Sequence, residues 1–121
     1  MNELIVKKSR FISQAYSINS KEQISKIIDA LWVENKKARH ICYAFLYKDQ
    51  EGIINGGFND DGEPKNTAGK AIYDLINLKK ADNLLVVTIR YFGGIKLGAG
   101  GLIKAYRKSA SIAIDSFLKG E

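Results

Sequence analysis

The 121-residue chain contains one cysteine, one proline, one tryptophan and one histidine, and its longest unbroken apolar run, Ile41 to Tyr47, is seven residues. Each scarcity removes a class of protein. Cys42 has no partner within the chain, which excludes a disulfide scaffold, and a lone cysteine fits a reducing compartment; the expected location is the cytoplasm. The apolar run falls far short of the roughly 20 residues a spanning helix needs, so no membrane association is expected. The start Met1-Asn2-Glu3-Leu4 carries an acid and no long apolar stretch, unlike a signal peptide. What is present is an ordinary apolar share of 45% with 26% charged residues, enough for one buried core and short for two. Residues 1–121 are therefore read as a single domain, and disorder is excluded.

The net charge of +6 is unevenly spread. Residues 1–40 hold eight basic and four acidic groups, residues 41–63 one basic and five acidic, and residues 64–121 ten basic and four acidic. A basic protein with one acidic island suits an anionic partner such as RNA, with the acids answering an internal cation or holding a metal.

Arg10 to Ile18 is rich in β-formers and reads as a strand continuing from Leu4-Ile5-Val6. Ser20 with Gln23 is a capping box, and Ile24, Ile27, Ile28 and Leu31 form one apolar stripe, predicting a helix to about Asn35. Ile41 to Tyr47 and Ile53 to Phe58, joined by a polar turn, predict a hairpin. After the polar connection Asn59 to Asn66, Thr67 can cap a second helix lined by Ala68, Ala71, Ile72 and Leu75. Leu84 to Ile89 is apolar and β-branched throughout, as in a central strand buried on both faces. A last helix is expected from about Ala99 to Leu118. The order β–α–β–β–α–β–α predicts an α+β two-layer sandwich, with a mixed sheet of four to five strands and helices on one face. Its core would include Ile24, Ile28, Leu31, Leu75, Leu102 and Phe117.

Four local features bear on chemistry. Arg90-Tyr-Phe-Gly-Gly-Ile-Lys-Leu-Gly-Ala-Gly-Gly101 ends a strand and opens a helix, and Gly93, Gly94, Gly98, Gly100 and Gly101 could bring backbone N–H groups against a phosphate. The run fails both the Walker and the dinucleotide spacing, and tight turning with close packing explains it equally well. Asp60, Asp61 and Glu63 could hold Mg²⁺ but miss the calcium-loop spacing; pairing with Arg39, Lys70 or Arg90 is the expectation, and no metal or cofactor is assigned. His40 and Cys42 share one face of a strand, but nothing marks the thiol as activated, so no catalytic residue is assigned. Lys104, Arg107 and Lys108 cluster on the last helix away from its apolar side of Leu102, Tyr106, Ala110, Ala113 and Phe117.

In order along the chain, Lys8-Ser-Arg-Phe-Ile12, Ala38-Arg-His-Ile-Cys42, Asp60-Asp-Gly-Glu-Pro64, Thr67-Ala-Gly-Lys70, Arg90-Tyr-Phe-Gly-Gly and Leu97-Gly-Ala-Gly-Gly-Leu-Ile-Lys-Ala-Tyr106 resemble the IMPACT/YigZ family. The resemblance covers essentially the whole chain. It implies a fold like the second domain of a small-subunit ribosomal protein and domain IV of elongation factor G, relatives that touch RNA. Longer bacterial members add a ferredoxin-like second domain, which is not expected in residues 1–121. Ile41 stands where relatives often repeat His, Ala71 where they have Pro, and Arg107-Lys108 where they commonly carry small residues.

Two functions follow as expectations. The first is a non-catalytic, translation-associated module binding RNA or ribosomal particles. Arg10, Arg39, Lys70, Arg90, Lys96, Lys104, Arg107 and Lys108 would contact phosphate, and exposed members of Tyr91, Phe92 and Tyr106 would stack on bases. No DNA specificity is predicted, and a protein partner in translation is left open. The second is an enzyme acting on a small phosphorylated molecule, with glycine-flanked helix starts as phosphate cradles and the acidic turn holding Mg²⁺. An open basic face favours the first; a closed pocket ringed by Asp60, Asp61, Lys70 and Arg90 favours the second.

Overall fold

A computed structural model describes residues 2–120, which form β1 (Asn2–Val6), β2 (Ser9–Ser17), α1 (Lys21–Glu34), β3 (His40–Lys48), β4 (Ile54–Asn59), α2 (Gly69–Leu78), β5 (Leu84–Tyr91) and α3 (Gly98–Leu118). The α+β class stands. The expected single strand from Leu4 through Ile18 is instead a hairpin whose turn residues, Lys7 and Lys8, have φ of +47° and +68°. Positive φ at both central residues is the geometry of a two-residue hairpin turn, and Lys-Lys carries none of the Asn-Gly chemistry that would have announced it.

The five strands lie in the order β1-β2-β5-β3-β4, with β5 in the centre. Every described pairing is antiparallel, which corrects the mixed sheet. The physical reason is a vacant lane. The chain leaves β2, crosses through α1 and lays β3 two positions away in the same direction. β5 then fills the lane between them, and running opposite to both it makes only antiparallel ladders.

Helices on one face is the second correction. Along β5 the side chains alternate, and the two sets enter different cores. Leu84 and Val86 join Phe11, Ile72, Ile76, Leu102, Tyr106 and Ile114 beneath α2 and α3. Leu85, Val87 and Ile89 join Ile18, Ile24, Leu31 and Ile41 beneath α1. A strand apolar at every position needs cover on both sides, so the β5 sequence itself demands helices on both. Burial of each large aliphatic side chain contributes about 1.5–3 kcal/mol.

α1 forms as its sequence dictates. Gln23 N donates to Ser20 Oγ at 3.4 Å, while Gln23 Oε1 accepts from the Ser20 amide at 3.1 Å. Of the expected core, Ile24, Leu31, Leu75 and Leu102 are buried. Ile28 and Phe117 are partly buried at the margins.

Candidate functional site

The connection from β4 to α2 is the acidic island, and its carboxylates turn inward. Asp60 Oδ1 accepts from the amides of Ala68 (3.1 Å) and Gly69 (2.8 Å), and Oδ2 from that of Asn66 (2.9 Å). Asp60 is therefore the acid that closes the start of α2. Thr67, expected to cap that helix, instead donates its hydroxyl to the Pro64 carbonyl at 2.6 Å, and no side chain of the flanking residue caps it. Gly69 is needed for packing, since a Cβ there would lie 2.6 Å from the Asn59 carbonyl oxygen. Asp61 Oδ2 accepts from the Ile41 amide at 2.7 Å, tying the loop to β3.

These anchors deliver Glu63 into the interior. Its carboxylate accepts from Arg90 Nη1 at 2.9 and 2.7 Å, and Oε2 also accepts a short hydrogen bond from the Tyr106 hydroxyl. Arg90 reaches it because even-numbered positions of β5 face α2 and α3. Its Nη2 donates to Ser9 Oγ at 3.3 Å, and its guanidinium lies 5.5 Å from the ring centres of both Phe11 and Phe92. Arg90 Nε is the buried side-chain nitrogen without a partner among the described residues.

His40 and Cys42 do share a face, as their spacing requires. His40 Nδ1 lies 2.6 Å from the Asp61 carbonyl, which can only accept, so Nδ1 carries the proton there. Its Nε2 then sits 3.4 Å from Glu63 Oε1. Cys42 is fully buried, and its single thiol proton has two acceptors in reach, the Asp60 carbonyl at 3.2 Å and the Tyr106 hydroxyl at 3.4 Å from Sγ. Burial pushes the thiol well above its ordinary value, assisted by the carboxylates of Glu63, Asp61 and Asp60. The Tyr106 hydroxyl is raised likewise, chiefly by burial and then by Cys42 and Glu63. A thiol held protonated in this way is a packing group, not a nucleophile.

Above the ion pair opens a cleft of about 400 Å³ between the β4–α2 connection, the segment after β5 and the start of α3. Arg39, Lys96 and the Glu63–Arg90 pair supply its charge, and His40 also lines it. Pro64, Phe92, Leu97 and Leu102 supply its apolar walls. The glycine-rich run beside it divides by role. A Cβ at Gly93 would fall 2.1 Å from the Lys8 carbonyl carbon, so this glycine lets the segment lie against the β1–β2 turn. Gly94 and Gly98 have φ of +90° and +75° and make the turns into α3. A Cβ at Gly101 would meet Leu97 at 3.2 Å, whereas one at Gly100 would meet open space. The N-cap of α3, Leu97, has helical φ and ψ, and no side chain caps the helix.

The eight expected phosphate contacts do not form one face. Arg10 pairs with Glu3 at 2.6 Å and Lys70 with Asp74 at 2.9 Å. Arg90 is buried against Glu63 at the floor of the cleft, so it is no part of an open basic face. Asp60, Asp61 and Lys70 do not ring the cleft; both oxygens of Asp60 and Oδ2 of Asp61 accept from backbone amides. Arg39 stacks on Phe92 at 4.8 Å and shares the cleft with Lys96. Lys104, Arg107 and Lys108 are exposed along a separate shallow groove with Leu75, Ser111 and Ile112, and none makes an ion pair among the described residues. Of the aromatics expected to stack, Tyr106 is wholly buried, Tyr91 donates its hydroxyl to Asn35 at 2.6 Å, and Phe92 is 38% exposed. Sequence reasoning missed the joint role of Ser9, Glu63 and Tyr106; the five acids of residues 41–63 were the one signal that an internal cation awaited them.

No helix among the described residues is long and apolar enough to cross a membrane. The sequence pattern of the Impact N-terminal domain matches residues 7–114. The IMPACT family member YvyE of Bacillus subtilis is 37% identical over 110 residues, 91% of this chain and 50% of that protein. YigZ of Escherichia coli, another IMPACT family member, is 38% identical over 101 residues, 84% of this chain and 50% of that protein. The chain thus spans about half the length of these curated relatives. A crystal structure described as that of an hypothetical protein superposes with a TM-score of 0.87 at 34% identity, covering 94% of this chain and 55% of the other. The structure of Yih1, described as a two-domain translational regulator, superposes with a TM-score of 0.62 at 26% identity, covering 93% of this chain and 45% of the other. On sequence pattern, identity and fold together, the chain belongs to the IMPACT family, through its N-terminal domain.

Proposed function

We propose that this domain is a non-catalytic, cytoplasmic module that binds RNA, on the ribosome or in translation-associated complexes, through the open side of α3. One observation carries the reading: Lys104, Arg107 and Lys108 stand exposed on successive turns with no carboxylate partner among the described residues. Like charges so spaced repel by about 0.2–0.5 kcal/mol per pair, and a phosphate backbone relieves that repulsion. Gly100, one turn before Lys104, leaves the helix surface flat where a backbone would approach. Yih1, a relative described as a translational regulator, supports a role in translation. The catalytic alternative is weakened because both oxygens of Asp60 and one of Asp61 accept from backbone amides, while Glu63 is paired with Arg90.

Replacing Lys104, Arg107 and Lys108 together with Ala tests it. Affinity for single-stranded and structured RNA should fall alike, and the slope of log K against log salt should flatten by about 0.7–0.9 per lost contact. The fold should survive, because all three side chains are exposed. A folded triple variant that binds RNA as tightly as the parent at low salt would remove α3 from the mechanism.

A further inference from the structure

The three helix starts differ in how their free amides are used. Ser20 and Gln23 close α1, and the Asp60 carboxylate closes α2, taking the place an external anion would occupy. α3, the longest helix at 21 residues, has no side-chain cap. Its first turn borders the 400 Å³ cleft through Gly98 and Ala99, so unsatisfied N–H groups and the positive end of the helix dipole face a cavity of small-ligand size. A second observation points the same way. Arg90, 5% exposed, lines this cleft beside Phe92, and its Nε has no partner among the described residues. Arg39 and Lys96 add cations at the cleft. Glu63 does not cancel them, because both of its oxygens are already engaged by Arg90 and Tyr106.

We propose that this cleft is a binding site for the phosphate monoester of a nucleotide. The phosphate sits on the α3 amides, with Lys96 and Arg39 as countercharges. The base lies against the apolar wall of Phe92, Leu97 and Pro64, where the Arg39 guanidinium, 4.8 Å from the Phe92 ring, extends a planar surface. The site shares no lining residue with the groove of Lys104, Arg107 and Lys108, so it stands or falls independently of the RNA reading. The same phosphate can come from a free mononucleotide or from the 5′ end of an RNA chain.

The test is an NMR titration of the ¹⁵N-labelled chain with adenosine 5′-monophosphate, inorganic phosphate and adenosine. Saturable shifts of the Gly98–Gly101 amides are expected with the nucleotide, and adenosine and inorganic phosphate should each bind at least about tenfold more weakly. Ala99→Glu places a carboxylate in the first turn of α3, which suits the helix dipole and leaves the fold intact while filling the anion position. This variant should lose nucleotide binding without losing thermal stability, and the Lys104/Arg107/Lys108 variant should keep it. A 5′-phosphorylated oligoribonucleotide that outcompetes its 5′-hydroxyl counterpart at these amides identifies an RNA end as the source. Equal binding of the two oligonucleotides, with the mononucleotide still saturating, identifies a free nucleotide. The proposal is overturned if millimolar nucleotide leaves the α3 amides unmoved, if inorganic phosphate binds as tightly, or if Ala99→Glu binds like the parent.

Discussion

Arg90 and Glu63 each look like surface charges until their neighbours are known. The sequence offers Arg90 both a phosphate-binding face and a pairing with the acidic turn, and the alternation of β5 decides for the second by sending it inward to a carboxylate from 27 positions away. Such a pair adds little net stability, because desolvating both ions offsets their attraction; removing one partner is the costly event, at about 3–5 kcal/mol. Beside them, Cys42 and Tyr106 make stability depend on pH. Burial raises both groups above their ordinary values of 9.0 and 10.0, so the folded chain keeps protons that the unfolded chain releases. Below about pH 9 both states are protonated and the full stability is present; above it the unfolded state binds fewer protons, and stability declines as pH rises. Melting temperature should therefore fall steadily above about pH 9. Cys42→Ala should melt lower at every pH, because it leaves a cavity, yet show a shallower alkaline decline. An unchanged alkaline slope in that variant would remove Cys42 from the account.

At the scale of elements, what was legible was what is local. The capping box of Ser20 and Gln23 and the stripe of α1 lie within a few residues of one another, and the structure reproduces them. The start of α2 was misread because its cap is not adjacent: Asp60 reaches it from eight residues before Ala68, while Thr67 turns back to Pro64. The Lys7–Lys8 turn was invisible because its positive φ values are held by pairing of the flanking strands, not by turn-forming residue types. Asp60→Ala frees three amides at once, those of Ala68 and Gly69 in buried residues, and should cost ~1–3 kcal/mol in denaturant unfolding. Thr67→Ala removes one hydroxyl donor and should cost less, about 0.5–1.5 kcal/mol. Reversal of that order would return the cap to Thr67.

For the molecule as a whole, the apolar run of Leu84 to Ile89 identified a central strand buried on both faces, but the expectation of helices on one face left the second core out. Which helix covers which face was not legible, because strand order depends on pairings between distant segments such as Ser13 with Thr88. β5 is the sole described link between the β1–β2 hairpin and the β3–β4 hairpin. A chain ending at Asn83 holds both hairpins and α1 and α2 but not the strand that pairs with both. It should lack the near-ultraviolet circular dichroism of fixed aromatic packing, and retention of that signal would show that the hairpins associate without β5. The strand order also has a consequence in time. During synthesis the second hairpin is complete at Asn59, but the strand that unites the sheet is not finished until Tyr91. At ~5–20 residues per second, the ribosome leaves the two hairpins apart for about 2–6 s. Throughout that interval the edges of β2 and β3 that will pair with β5 are open to any other strand, so the stage at which this chain is most exposed to misassembly is set by the position of β5 in the sequence.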